Sequence, residues 1–478
     1  MLDVAPDFCH NRPRMSDQGL VKIPSLRLGR TCLSRDPKIP RDCRTQQPFA
    51  ELATVEQEKV FQDLAKLKGR RDTIFARHPT ETLHRAMRNA ADFFLNAALP
   101  LHDGPGESAI LQKPEDYVRC LSATSGLPPA QVRLAMEEIG DFLKRLPDLA
   151  GFLMNGLPAK AFDGQPLESS WGREYLVLNQ HAHYSGHLLT GHHPSENLRW
   201  LHALALRVPV LVEPREWDVW TPLRLAQALM SAGVPPEALN VCCTTPDEDF
   251  GSSWSVTDIC KTPLMLCEDG LEDWGTNLPL MERRVTRHAG RSQLSTGLIV
   301  TPRRAEDVAY GLAQRLVKIP PEIWAEPGAR IPAAPTPDDA RALAERFQQY
   351  REELGARDIT EGIRKSGVHG QHQGLDLHLP AVLLLPEEPE ELPDPPGFPF
   401  PCVLVTPLSQ SRMARLGDVH EINRVYVLTE RRETLESFAR SPGLPRVLSS
   451  GAAHAQAYLP ALCDRNYPAY LFSKQIIL

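Results

Sequence analysis

Histidine is the residue type whose placement first suggests chemistry. His181, His183, His187, His192 and His193 fall within thirteen residues. Neutral imidazoles at that density are candidate zinc ligands or the wall of a small-molecule site. No cysteine or carboxylate accompanies them at the spacing of the common zinc motifs, so no metal is assigned; a metal- or ligand-binding module built on the 181–193 cluster stands as an alternative. Ten cysteines are scattered at 9, 32, 43, 120, 242, 243, 260, 267, 402 and 463 without a C-x-x-C pair. That pattern reads as reduced, mostly buried thiols rather than a disulfide framework. Asp247, Glu248 and Asp249 form a short acidic run, read as a tight surface turn.

These residues need a scaffold, and 478 residues at 42% hydrophobic and 24% charged can bury a sizeable core in two or three domains. The formal charge of −7 provides no global basic field for nucleic acid or an anionic membrane. No apolar run approaches the ~20 residues of a membrane span. The opening MLDVAPDFCHNRPRMSDQ lacks the apolar core of a signal peptide, so a cytoplasmic protein is expected, with a frayed extension over 1–18 and Met15 as a candidate start.

Helical periodicity marks 55–67, 81–98 and 130–146, the last opened by GLPPAQ. No chemistry is visible on these helices. The clearest unit starts at Val208, where VPVLVEP reads as a strand. Thr221 is expected to cap a helix with Pro222 at its first position; LRLAQALMSA continues it to Gly233, and NVCCT is a second strand. Strand, helix and strand make a right-handed βαβ unit, whose two strands, 208–213 and 240–243, should be adjacent and parallel. The prolines cluster at 318–336 and 385–401, the latter read as an extended, acidic, solvent-facing loop.

At this βαβ unit the chain resembles the NAD(P)-dependent aldehyde dehydrogenase and acyl-CoA reductase superfamily. RVPVLVEP followed by WTPLRLAQALMSAGVPPEALNV is similar to the family stretch in which a strand ending in Lys-Pro leads through Thr-Pro to a helix and a further strand. LEDWGTNLPLMERRVTRHAGRSQLSTGLIVTPRRAEDVAYGLAQRL resembles the segment that carries the nucleophile, in a subgroup reading G-R-S-C-I-N. The DFLKRL region and YVRCLSATSGLPPAQVR resemble the same subgroup's helical N-terminal part. The likeness runs from about residue 20 onward and weakens after 320.

The resemblance implies an α/β, aldehyde dehydrogenase-like fold: a Rossmann-type parallel-sheet domain, a second α/β catalytic-type domain and a helical N-terminal part. The expected divisions are 19–170 helical, 171–262 a reduced dinucleotide-binding-type domain, 263–440 catalytic-type, and 441–478 a C-terminal oligomerisation segment. It also implies departures at the site. The catalytic cysteine position is Gln293, and an amide is no nucleophile at neutral pH. The oxyanion-donor asparagine falls at His192, with His193 an equal candidate. The strand-ending lysine that bonds the adenosine ribose is Glu213, followed by Pro214 and, further on, Thr221. A carboxylate accepts from ribose hydroxyls but repels a 2′-phosphate, which favours NAD over NADP. The interval 241–262 is too short for the family's pyrophosphate-facing helix and carries the acidic run. The later Glu-x-Phe-Gly-Pro motif matches weakly at 396–401 without its glutamate.

The reading is an aldehyde dehydrogenase-like protein, catalytically degenerate and retained for assembly or regulation, with NAD binding weak or lost. An active NAD-dependent aldehyde or acyl oxidoreductase with a relocated nucleophile is the alternative, Cys260 and Cys267 being nearest in sequence. Relatives form dimers or tetramers, so a homo-oligomer is expected, with RVYVLT and the ending YLFSKQIIL as candidate interface strands or ordinary core strands.

Overall fold

The run VPVLVEP forms the strand Val210–Glu213, and the apolar helix Trp220–Ser231 carries the chain to the strand Leu239–Val241. The two strands pair in parallel, Val210 opposite Leu239, as a helical crossover between them requires. The computed structural model describes residues 20–102, 110–154, 156–168, 175–180, 182–245, 254–256, 261–272, 274–321, 328–414, 416, 425–440, 447–449 and 472–477. Residues His181, Asp247, Glu248, Asp249 and Cys260 lie outside them.

This βαβ unit sits in a six-stranded sheet ordered Trp254–Val256, Ser185–Leu188, Val210–Glu213, Leu239–Val241, Ser25–Arg27, Arg30–Cys32. The first four strands are parallel and the last two antiparallel. A second sheet of seven strands runs Arg357–Asp358, Ala381–Leu384, Cys402–Pro407, Thr296–Thr301, Thr262–Leu266, Val425–Leu428, Val447–Ser449. All its pairs are parallel except that of Arg357–Asp358. Its central strands are buried along their whole length, which explains the near-continuous apolar runs TGLIVT and TPLML.

The helices Gln57–Leu67, Thr80–Asn96 and Pro129–Leu153 form where periodicity places them. Thr80–Asn96 packs on both Pro129–Leu153 and Trp220–Ser231, and their apolar faces share one core that includes Met87, Phe94, Phe142, Leu223 and Trp200. A smaller antiparallel sheet joins Leu167–Glu168, Tyr175–Gln180 and Phe472–Ile477. The two candidate interface strands thus differ: the RVYVLT strand is interior to the seven-stranded sheet, whereas the C-terminal strand lies at the edge of the small one. Among the described residues no helix is long and apolar enough to cross a membrane.

Two local expectations are corrected. The helix begins at Trp220 rather than at Pro222, and Thr221 does not cap it. Instead the Asp218 carboxylate accepts from the Thr221 amide at 3.1 Å and its hydroxyl at 2.7 Å. The proline-rich stretch 385–401 faces solvent only in its acidic half. Leu392, Phe398 and Phe400 are buried, and Phe398 and Phe400 ring against Phe347 on the helix Pro337–Glu353. Prolines keep the backbone extended there, while the aromatics between them supply the burial.

Candidate functional site

The loop expected to carry the nucleophile lies between the helix Trp274–Thr286 and the strand Thr296–Thr301. Three consecutive residues, His288, Ala289 and Gly290, take positive φ of 51°, 54° and 71°. A Cβ at Gly290 would meet Pro401 N at 2.3 Å, so a glycine is required on contact as well as on φ. The turn delivers Arg291, Ser292 and Gln293 to the head of the strand. Gln293 is half-buried, and its carbonyl accepts from the Thr262 hydroxyl at 2.8 Å on the adjacent strand.

Arg291 is buried. Its Nε donates to Pro399 O at 3.0 Å, Nη1 to Ser125 O at 2.6 Å and Nη2 to Ala333 O at 2.7 Å. None of these acceptors is charged, and burial lowers the guanidinium to about 10. It stays a cation at neutral pH. Lys261 is also fully buried, donating to Phe400 O at 2.8 Å, and burial lowers it to about 8.

Facing this loop is the turn 190–197, which Glu196 organises. The Glu196 carboxylate accepts from the amides of Thr190, Gly191, His192 and His193 at 2.8–3.2 Å and from the Thr190 hydroxyl at 2.6 Å. The spacing His193-Pro194-Ser195-Glu196 is a capping box, with Pro194 in the first turn. That signal is visible in the sequence as a helix-start pattern. The box separates the two oxyanion candidates. His193 is buried, with Nδ1 2.7 Å from Ser195 Oγ and its ring 4.3 Å from that of His288. His192 instead points to an open cleft of about 240 Å³, whose wall includes Trp217, Arg291, Arg346, His378 and Asp339. Burial, together with Arg291, Arg346, Arg215 and Lys261, holds His192 down at about 3, so its ring is neutral.

The remaining histidines disperse. His183 is exposed, and His187 is buried on its strand, 2.9 Å from Ser185 Oγ. Among the described residues no group of three or more His, Cys, Asp or Glu side chains is placed to hold a metal ion.

At the carboxyl end of the six-stranded sheet, Glu213 is half-buried. Its Oε1 accepts from the Thr244 hydroxyl and, at 3.4 Å, from the Thr244 amide. The Pro214 carbonyl accepts from the Cys243 thiol at 3.4 Å. Thr221 is fully buried, 2.9 Å from the Tyr117 hydroxyl, and belongs to the core between helices. The seven described cysteines are free thiols, six of them buried. Burial pushes the Cys120, Cys243, Cys267 and Cys402 thiols up to about 12.

The structure therefore brings His192 to Arg291, two residues before Gln293, and the turn that carries His192 leaves the six-stranded sheet beside Glu213, whose carbonyl accepts from the Leu189 amide at 2.9 Å. Sequence reasoning missed Arg346 and His378 on the cleft wall. The helix Pro337–Glu353 is polar along most of its length, and nothing in its pattern distinguishes the turn that meets the cleft.

No protein-family model and no curated protein matches the sequence. Solved structures match the whole fold. An NAD-dependent benzaldehyde dehydrogenase from Corynebacterium glutamicum superposes with a TM-score of 0.69 at 14% identity, over 95% of this chain and 97% of that one. A succinate-semialdehyde dehydrogenase from Burkholderia pseudomallei gives 0.68 at 13%, over 97% and 99%. An indole-3-acetaldehyde dehydrogenase from P. syringae, in complex with NAD+ and IAA, gives 0.68 at 11%, over 96% and 97%. The fold is the α/β fold of the aldehyde dehydrogenases.

Proposed function

We propose that this protein is an aldehyde dehydrogenase-like homologue that has lost thioester chemistry and serves in assembly or regulation. The observation that carries the reading is Gln293 in the loop between Gly290 and the strand Thr296–Thr301, where the resemblance places the nucleophile. A carboxamide nitrogen has no free lone pair for attack on a carbonyl, and no environment tunes it into a nucleophile. Of the two cysteines nearest in sequence, Cys260 lies outside the described residues and Cys267 gives little support to a relocated nucleophile. Cys267 is 5% exposed, and burial raises its thiol to about 12, far from thiolate at neutral pH.

A bound NAD would supply the hydride acceptor. The residue that would hold its adenosine ribose is Glu213, whose carboxylate can accept from hydroxyls. Thr244 already occupies Oε1, so that contact is reduced and binding is weak. Assembly would be homo-oligomeric, with Phe472–Ile477 offering a strand edge unpaired among the described residues.

The test compares the native protein with Gln293→Cys. Native protein incubated with an aldehyde and NAD should form no NADH, and mass spectrometry after acyl-CoA treatment should show no thioester at 293. The Gln293→Cys variant should gain labelling by iodoacetamide while hydride transfer stays low, because restoring one member of a cooperating set recovers little rate. Calorimetry giving an NAD dissociation constant near about 1 μM would overturn weak cofactor binding. Robust aldehyde oxidation by the native protein, surviving Cys260→Ser and Cys267→Ser, would overturn the whole reading.

A further inference from the structure

Behind the turn that carries His192 lies a buried cluster of titratable groups that neither cofactor nor thioester chemistry requires. The ring of His193 stands 4.3 Å from that of His288, on the loop that leads to Gln293, and both side chains are buried. The helix Pro129–Leu153 packs against both turns and closes the cluster with Glu138. The Glu138 carboxylate meets Arg287 Nη2 at 2.5 Å and lies 3.0 Å from His288 Nε2. Burial alone would raise that carboxylate, but His288 and Arg287 hold it below its ordinary range. The charged and titratable groups around the two rings are thus Arg287 and Arg291 from the loop, Glu138 from the helix, and His192 and Glu196 from the turn itself.

One bond decides what a further proton does here. His193 Nδ1 accepts from the Ser195 amide at 3.1 Å, and that bond caps the turn Pro194–Asn197. A ring that accepts at Nδ1 carries its proton on Nε2 and is neutral. Burial, with His288, Arg291 and Arg287 adding to it, keeps His193 well below the ordinary imidazole range. A second proton has only Nδ1 to occupy. It could be donated to the Ser195 hydroxyl, 2.7 Å away, but the Ser195 amide would then lose its acceptor and the turn its cap. The new cation would also stand against Arg287 and Arg291, with Glu138 already engaged by Arg287. On the other side of the contact, His288 and Ala289 hold positive φ though neither is glycine, so the loop stores strain that the packed rings keep in place. We infer that His193 is a proton-operated latch: the neutral ring caps its own turn and holds it against the Gln293 loop, and a second proton parts the two, opening the wall that His192 forms. The latch goes beyond the loss of thioester chemistry and does not rest on it.

Opening returns the ring to its ordinary value near 6.5 and takes up a proton. The closed state is therefore fully favoured above that pH and loses ground as pH falls below it. Glu196 acts in the opposite direction. Burial raises it from 4.5 to about 6 in the closed turn, so an opening that exposed it would release its proton, and acid would tighten the turn. Hydrogen exchange of the full chain, corrected for intrinsic rates, reads the Ser195 amide at pH 7.5 and pH 5.5. It should quicken about tenfold on acidification if His193 alone responds, and still about threefold if Glu196 is exposed in the same opening. H193N keeps an acceptor for the Ser195 amide, and H193F keeps a ring against His288; neither titrates. In both variants the acid-induced quickening should vanish, whatever their absolute rates. Exchange in the Val210–Glu213 strand should not follow that of Ser195. A native Ser195 amide that holds or slows in acid would overturn the latch, as would quickening that survives in both variants, or equal quickening in the strand, which would report unfolding of the whole protein.

Discussion

Asp218 precedes the first turn of the helix Trp220–Ser231 with its carboxyl group 2% exposed. Burial pushes it up to about 7, with the charge of Glu196 adding to the effect and the two bonds from Thr221 opposing it. In the unfolded chain the same group returns to its ordinary value near 3.8. A carboxyl raised on folding holds its proton in the native state where the unfolded state has released it. Its contribution to stability is therefore fully present below about pH 4 and is lost as pH rises toward 7, on the order of 1 kcal/mol per pH unit. Asp218→Asn keeps an acceptor for Thr221 and cannot titrate. Urea unfolding at pH 5 and pH 7.5 should show the native protein losing more stability across the interval than the variant; parallel losses would mean that Asp218 is ionised in the folded state. Such a residue is hard to find from sequence. Its type says turn or cap, and only the packing of its segment against the helix Pro114–Ser125 leaves it buried.

At the scale of elements, the βαβ unit was legible because its signals agree: a β-type run, a helix with apolar residues on nearly all sides, a glycine stop and a second run. The same helix carries Arg224, which periodicity places in the core and charge would place outside. The structure buries it at 2% exposure, donating to Phe94 O at 2.9 Å, Ala97 O at 2.8 Å and Gln112 O at 2.9 Å. Two of these carbonyls close the C-terminus of the helix Thr80–Asn96, where backbone acceptors lack helical partners. Arg224→Met would preserve volume and helix propensity but strand three buried carbonyls. A loss of at least about 3 kcal/mol in chemical denaturation is expected; a loss below 1 kcal/mol would show that other donors take over. The 385–401 stretch was misjudged for a related reason, since proline content reports backbone conformation and not whether the aromatics between the prolines find a core. Gln293 and Glu213 were placed by resemblance; their local bonds to Thr262 and Thr244 come from strands distant in sequence and have no local pattern to reveal them.

Across the whole molecule, Arg291 fastens three distant segments: the end of the helix Pro114–Ser125 through Ser125, the 333 region through Ala333, and the aromatic stretch through Pro399. Gly126 reinforces the same junction, since a Cβ there would sit 2.0 Å from Ala333 O and the Ala333 amide donates to Gly126 O at 2.8 Å. Arg291→Lys keeps the charge but cannot span three acceptors in a plane. It should cost about 2–3 kcal/mol and raise amide exchange at Ala333 more than in the Val210–Glu213 strand; equal exchange at both would deny the junction its local role. The small antiparallel sheet has a different consequence, one of timing. Tyr175–Gln180 finds its long partner in Phe472–Ile477, about 290 residues later in the chain. At ~5–20 residues per second of synthesis, the earlier strand emerges roughly 15–60 s before the later one exists. For that interval a nascent chain holds Tyr175–Gln180 beside only the two-residue strand Leu167–Glu168, with its other edge open to neighbouring chains on the same message. Yield of native protein should then depend on translation speed and on chaperones that shield an unpaired strand until Phe472–Ile477 is made.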